Sequence, residues 1–440
     1  MESGGLLCDD ALVEILVRLP AVAVLRCRSV CKRWLRIATD PSFLAAHAAH
    51  RPSEMIIRSH FEPSEVRTLL LSPDRKARRD SRFLCHRQQQ QQGETDDGRR
   101  GFDVLYSLDG LLVLMQRSGL YIICNPTTRQ WTNFPVLAPE PCSDASVCGF
   151  YFHSSSGEYR LRCHGAEKDH DSVSDGRRRN RCYYYILSAG GTLPRRIGRA
   201  PDDPIISSSI TVDDFEPPVL YRGFIHWLTA QAEAARNKRV VFYELPVAHR
   251  GLLHWFSVHP EAARTGKMLA FDTVAETFRL MSRPPERAGD MIRSLLELDG
   301  ELCVAAMQQD LMSLDIWALE GSESWTLCHR VQVPLTCLYR NNATVTKVIS
   351  IASGIILIGD PGSYVGRLYD LKRKMILCRD LEFGPATPML YDLKEKKLRK
   401  EMHCHSVFPS FLVFSESLVS HSFFDDAPRH PHLTPIKFPE

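Results

Sequence analysis

Apolar positions change their spacing once along the chain, and the change divides it in two. From Leu6 to His50 they recur at helical intervals. Leu12, Ile15, Leu16 and Leu19 fall at i, i+3, i+4 and i+7, one stripe of a helix. Asp9 and Asp10 are good N-cap residues ahead of that run. Leu19-Pro20 ends it, because the residue before proline avoids the helical region and proline suits the first turn of a new helix. The pattern then predicts a short second helix carrying Val22, Val24 and Leu25. A third, capped by Ser29, runs from Val30 to Ala38 with Trp34 on the face of Val30. A fourth is opened by Pro41 and bears Phe43, Leu44 and His47. Short helices within about 45 residues cannot bury all of their apolar faces internally. Part of this module is expected to meet a partner.

Beyond residue 50 the pattern turns to short apolar runs of strand length. Residues 51–72 hold two of them, EMIIRSHF and VRTLLLS, read as connecting strands. Residues 73–100 are rich in arginine, glutamine and acidic residues, with little apolar surface to bury, and are expected to be a loop. From residue 101 to 425, runs of Val, Ile, Leu, Tyr and Phe alternate with Gly, Pro, Asn and Asp turns. Ala230–Lys238 is the one helical candidate there, and residues 426–440 read as a tail.

The β region also repeats loosely. Asp109-Gly110-Leu111-Leu112, Arg250-Gly251-Leu252-Leu253 and Asp299-Gly300-Glu301-Leu302 each open a unit with a glycine-led strand. A strand ending in an Asn or Asp turn follows, then a strand with an aromatic residue, then a proline. Asn125-Pro126 and Asp272-Thr273 occupy equivalent turns. Weaker copies begin at Ser353-Gly354 and at PMLYDL. Units of about 40–50 residues with three or four strands each indicate propeller blades, roughly six or seven in this length. The predicted fold class is therefore α+β multidomain: a small N-terminal helical module followed by a mainly-β propeller.

The helical module resembles the F-box. The residues that carry the likeness are L-x-D-D-x-L-x-x-E-I-L-x-R-L-P, then L-R-C-R-S-V-C-K-R-W, then D-P-S-F, in order. Cys8 departs from the proline usual there, and Ala23 from a common polar residue. The resemblance implies docking on a Skp-type adaptor and, through it, on a cullin-RING ubiquitin ligase. Leu12, Ile15, Leu16, Pro20, Leu25, Val30 and Trp34 are the expected adaptor-binding residues. Residues 101–425 resemble the plant-type kelch-like F-box-associated domain, best at LDIWALEGSESWTLCHRVQVP, and this implies capture of a protein substrate.

Composition removes other classes. Fifty-five basic against 52 acidic residues give a net charge of +3, too balanced to argue for nucleic acid or an anionic membrane. Fourteen scattered cysteines, with no signal-like N-terminus and no long apolar run, fit a reduced, cytoplasmic or nuclear location. No phosphate-loop, zincin, nucleophile-elbow or dinucleotide motif occurs, so no enzyme activity and no cofactor are expected. His403-Cys404-His405 lacks the spaced partners a zinc site needs. Cys27 and Cys31 read as packing residues, and Asp202-Asp203 and Asp213-Asp214 as turn residues. Trp131, Trp227, Trp255, Trp317 and Trp325 read as sheet-packing residues.

Two readings of function follow. The first is a non-catalytic substrate receptor of a Skp–cullin–F-box ubiquitin ligase. The second is an F-box interaction protein acting outside ubiquitination. Substrate capture is expected on the propeller end opposite the F-box. Two loop expansions, His164–Arg181 and Ala230–Arg239, are expected there. Arg177, Arg178, Arg179 and Arg181 suit an acidic or phosphorylated target, since guanidinium binds phosphate bidentately.

Overall fold

The computed structural model describes residues 7–59, 64–71, 81–87, 103–117, 120–137, 142–168, 180–199, 219–221, 224–226, 247–249, 252–256, 267–282, 284, 292–308, 313–321, 324–332, 347–352, 354–359, 389–401, 407–425 and 435–439. Four helices come first: α1 (Asp9–Leu16), α2 (Ala21–Cys27), α3 (Lys32–Thr39) and α4 (Pro41–Ala49). The break at Leu19-Pro20 falls between α1 and α2, and Pro41 opens α4. Ser29 does not cap α3. Its hydroxyl donates back to Arg26 O at 2.7 Å, Cys31 stands at the N-cap, and Val30 lies outside the helix. Asp9 and Asp10 sit in the first turn of α1, one step inside Cys8.

Apart from one short 3-10 helix at Ser422–Phe424, the remaining regular structure among the described residues is β. The chain runs through β1 (Glu54–Ser59), β2 (Glu65–Leu70) and β3 (Arg82–Arg87). Next come β4 (Asp103–Leu108), β5 (Leu111–Arg117), β6 (Leu120–Asn125) and β7 (Gln130–Asn133), then β8 (Cys142–His153), β9 (Glu158–Lys168), β10 (Asn180–Ser188) and β11 (Arg195–Arg199). A third group is β12 (Val219–Tyr221), β13 (Phe224–His226), β14 (Val247–His249), β15 (Leu252–Phe256), β16 (Lys267–Phe271) and β17 (Phe278–Ser282). Then follow β18 (Ile292–Leu298), β19 (Glu301–Met307), β20 (Ser313–Glu320) and β21 (Ser324–Gln332). The last are β22 (Lys347–Ala352), β23 (Ile355–Gly359), β24 (Met389–Asp392), β25 (Lys397–Glu401), β26 (Val407–Phe414) and β27 (Ile436–Lys437).

Among the described residues these strands form six sheets, five of four or five strands and one of six. Each sheet touches the next in chain order. β4 lies beside β8, β8 beside β13, β14 beside β18, β18 beside β22, β22 beside β26, and β26 beside β4. The sequence of contacts returns to its start, which makes a closed propeller. The closing sheet has the order β26-β1-β2-β3-β27, so both chain ends build it. Joining first and last strands in one sheet removes an exposed edge from the ring.

Three sequence expectations change at this closing sheet. Within residues 51–72, β1 and β2 are strands of the closing blade itself. The segment 73–100 contains β3, with Leu84 and Cys85 buried, and its other residues apart from Ser81 lie outside the described ones. The tail 426–440 supplies β27, whose Ile436 pairs with Arg87. Short apolar stretches in charged surroundings carry too little local signal to separate an edge strand from a loop.

The cores lie between sheets. Along β5, Leu112 and Leu114 enter the cluster shared with Ile56, Leu84 and Phe414, while Leu111 and Val113 enter the one shared with Phe150, Leu161 and Leu187. Side chains alternate across a strand, so a strand buried on both faces reads as an unbroken apolar run. Ile356 and Ile358 likewise face one neighbouring sheet and Leu357 the other. Trp131 packs in the first of these clusters and Trp317 is buried; Trp227 lies outside the described residues.

The repeat seen in sequence has a common turn. Asn125, Asp272 and Asp392 each use side-chain Oδ1 to accept the backbone N–H groups two and three residues on. Four residues after each stand Arg129, Glu276 and Lys396, all with positive φ. At the neighbouring turns Asp109-Gly110 and Asp299-Gly300, both residues have positive φ, the hairpin geometry that matches strand twist.

Candidate functional site

Antiparallel connection gives the ring two unlike ends. β26 finishes at Phe414 opposite Glu54, where β1 begins, so the helical module and the segment after β26 share one end. The turns after β4, β6, β8 and β10 lie at that end too, since Gly110, Asn125, Tyr159 and Gly190 beside them meet the segment after β26. β9 and β10 are joined at the opposite end, where Lys168 pairs with Asn180.

Within the module, Leu12, Leu16, Val17, Ala21, Val24, Ile37, Ala38 and Phe43 form one core. α1 is clamped to α3 by Asp9, whose two carboxylate oxygens meet Arg33 Nε at 2.6 Å and an Arg36 guanidinium nitrogen at 2.7 Å. Arg28 donates to Ala38 O at 2.9 Å, tying α2 to the end of α3. Asp40 caps α4 by accepting Ser42 N at 2.9 Å and Phe43 N at 3.4 Å. Bonds from Ser42 hold the Asp40 carboxyl below its ordinary range. His47 is buried with Nε2 3.0 Å from Leu19 O, across the proline break, and burial lowers its pKa.

This core divides the predicted adaptor residues. Leu12 and Leu16 are 3% and 1% exposed, so they are internal and cannot touch a partner across a surface. Leu12 and Leu16 mark the buried side of α1, and Ile15, on the same stripe in sequence, faces outward. Ile15 and Val30 are 47% and 61% exposed, Pro20 is exposed, and Leu25 and Trp34 are half-buried. Leu7, Val22 and Leu35, which sequence reasoning did not select, are exposed as well. All three are apolar, but spacing in sequence alone does not say which apolar residues the other helices cover. Nine large apolar side chains are exposed among the described residues, and five of them are Leu7, Ile15, Val22, Val30 and Leu35. The concentration marks this module as unlike the rest of the described residues. Residues 7–36 hold six basic and three acidic side chains, a local +3, so the segment that carries these apolar residues is net basic.

The remaining candidates fall elsewhere. Arg177, Arg178 and Arg179 lie outside the described residues, and Arg181 is on β10. So do Ala230–Lys238 and His403-Cys404-His405. Cys27 ends α2, whereas Cys31 is exposed ahead of α3, so the two do not share a helix. Among the described residues no group of three or more His, Cys, Asp or Glu is placed to hold a metal ion. No helix of the described residues is long and apolar enough to cross a membrane.

The F-box domain family matches residues 6–45, spanning α1 to α3 and the start of α4. Residues 6–45 are an F-box domain. An F-box protein of Arabidopsis thaliana is 23% identical to this chain over 402 residues, 86% of each chain. A second F-box protein of that plant is 25% identical over 185 residues, and a third is 29% identical over 158. The chain spans only 47% and 38% of those two relatives. A solved structure of streptogramin B lyase aligns with a TM-score of 0.34 and 8% identity over 81% of this chain and 84% of that one, too loose a likeness to bear on fold or activity. The F-box therefore carries the functional argument, and its exposed apolar face is the candidate site.

Proposed function

We propose that this protein is the substrate-recognition subunit of a Skp–cullin–F-box ubiquitin ligase. One observation carries the reading: an F-box domain that leaves Ile15, Val22, Val30 and Leu35 exposed at one end of a closed propeller. Such a face gains from being covered, since burying apolar surface contributes about 25 cal/mol per Å². The net positive charge of residues 7–36 suits a partner with acidic groups. Leu12 and Leu16 support the face from beneath, and Ile15, Pro20, Val30 and the exposed edges of Leu25 and Trp34 meet the adaptor. The propeller then holds a protein target. β9 ends at Lys168 and β10 begins at Asn180 on the side away from the F-box. That favours capture there, by Arg177, Arg178, Arg179 and Arg181, of an acidic or phosphorylated segment. The chain does no covalent chemistry in this scheme. It raises the effective concentration of target lysines near the charged conjugating enzyme.

The test is co-purification of the full chain with a Skp-type adaptor and a cullin. The unaltered chain is expected to recover both, and the Ile15→Asp/Val30→Asp variant neither. Recovery of adaptor without cullin would favour a role outside ubiquitination. Undiminished recovery by the folded double variant would overturn the interface.

A further inference from the structure

The segment that follows β26 leaves the ring and enters the F-box. Leu418 is 3% exposed and belongs to the same core as Leu12, Leu16, Val24 and Phe43. Arg28, which ties α2 to α3, also donates to Leu418 O at 3.1 Å. Glu416 accepts the first N–H of α2, from Ala21, at 3.3 Å and forms an ion pair with Arg82 of β3. The N-terminus of α2 is thus satisfied by a residue 395 positions away.

The same segment is held on its other side by two sheets. Asn125 Nδ2 donates to Ser417 O at 3.1 Å and to Val419 O at 3.0 Å. Ser417 lies against Gly110 so closely that a Cβ there would be 2.3 Å from Ser417 Cβ. The His421 ring stacks on Phe423 at 4.9 Å and meets Tyr159 edge-on at 5.1 Å. Phe423 covers Gly190, and Ser420 donates to Gln130 at 3.0 Å. From Glu416 to Phe423 nearly every residue has a fixed partner, in the helices, in the ring, or in both.

We infer that this strap, residues 415–425, is a structural part of the F-box domain, so that the adaptor-binding face forms only in a chain whose ring of blades has closed. The strap follows directly from β26, which joins the closing sheet by pairing with β1. A chain that has not placed β26 cannot place Leu418. The F-box match ends at residue 45 and does not contain this core residue. The consequence is selective: incomplete or opened receptors lose the face by which they would be recruited. The part of the inference that concerns recruitment rests on the adaptor reading above.

Hydrogen exchange in the full chain, with adaptor affinity measured alongside, tests it. Leu418→Asp places a charge in the F-box core. It is expected to speed exchange in α1–α3 at least tenfold, leave β19–β20 within twofold, and weaken binding of a purified Skp-type adaptor at least tenfold. Leu418→Met should behave as the unaltered chain within twofold. Asn125→Asp touches no helix. It keeps the Oδ1 acceptor of its turn but sets an oxygen against two strap carbonyls, and it should speed exchange in α1–α3 at least threefold. Helix exchange within twofold of the unaltered chain in either Leu418→Asp or Asn125→Asp overturns the inference. So does faster exchange in Leu418→Asp with adaptor affinity unchanged. If the unaltered chain binds no adaptor, the exchange result still decides the strap's part in the F-box, and the proposed function is what fails.

Discussion

Ile15 and Leu16 are neighbours on α1 with opposite surroundings, and changing each in turn separates binding from folding. Leu16 is enclosed by the F-box core, so Leu16→Ala removes its apolar contacts and leaves a cavity, at about 2–5 kcal/mol. The module has little to spare: at 0.05–0.15 kcal/mol per residue, about 40 residues supply roughly 2–6 kcal/mol. Leu16→Ala is expected to consume most of that and to open α1–α3. Ile15 keeps about half of its surface in water. Ile15→Asp forfeits about half of a burial term of roughly 1.5–3 kcal/mol, plus a small helix-propensity difference, for a total near 1 kcal/mol. In the complex the outcome reverses. An aspartate brought into an apolar contact without a partner costs about 2 kcal/mol or more, roughly thirtyfold in affinity. Hydrogen exchange of α1–α3 reads the first effect, and titration with a Skp-type adaptor reads the second. Exchange is preferable to a melting curve, because a two-module chain does not guarantee a single transition. Ile15→Asp with protected helices and an unchanged Kd would refute the assignment of this face. Ile15→Asp with opened helices would refute the division between core and surface.

Two other perturbations probe the supports of the site. Gly110→Ala forces a side chain onto a residue at φ +79° and into Ser417, and should cost roughly 1–3 kcal/mol, read as a lower Tm and faster proteolysis of the strap. His47 makes the F-box acid-sensitive. Burial holds its pKa down, with Arg51 and His50 acting in the same sense and Leu19 O and Glu416 opposing them. Its Nδ1 is buried without a hydrogen-bond partner, so a second ring proton would have no acceptor. The unfolded chain therefore takes up a proton that the folded one refuses, and the stability His47 contributes is complete above the ordinary histidine value and lost as pH falls below it. Exchange of α1–α4 should accelerate, beyond the intrinsic chemistry, between pH 7 and pH 5, and His47→Gln should flatten that dependence; an unchanged slope would refute the role of His47.

What could be read from the residues was what neighbours in sequence decide. The helix breaks at Pro20 and Pro41 are matters of local backbone chemistry. So are the Asn125 and Asp272 turns, each closed by a side chain onto N–H groups two and three residues ahead. The strands from Leu111 to Cys124 were legible for a different reason. Sheets on both sides leave no polar face, and the run of apolar residues between turns has strand length. The side assignment within the F-box was not legible. A stripe on a helix states which residues agree with each other; whether they point into their own core or toward another protein depends on what the other helices cover. α3 and α4 bring Ile37 and Phe43 against Leu12 and Leu16, and only then does Ile15 become the outer residue.

The closing sheet and the strap escaped sequence reading because their partners are separated by most of the chain. Met55 pairs with Val413, and Ala21 N meets Glu416. Nothing local in RFLCHR or in IK announces that they are adjacent strands, and a blade assembled from both termini has no contiguous repeat to recognise. The separation has a physical cost and a physical use. Joining such distant segments is entropically expensive, though the expense grows only logarithmically with length. It is met here by many contacts formed together: the β1–β26 ladder, the core around Phe414 and Ile56, and the strap's bonds to Asn125 and Arg28. Contacts formed together are also lost together. A weakness introduced at Gly110 or Asn125, both of which hold the strap, is therefore expected to reach α2, and adaptor affinity becomes a measure of whether the ring is shut.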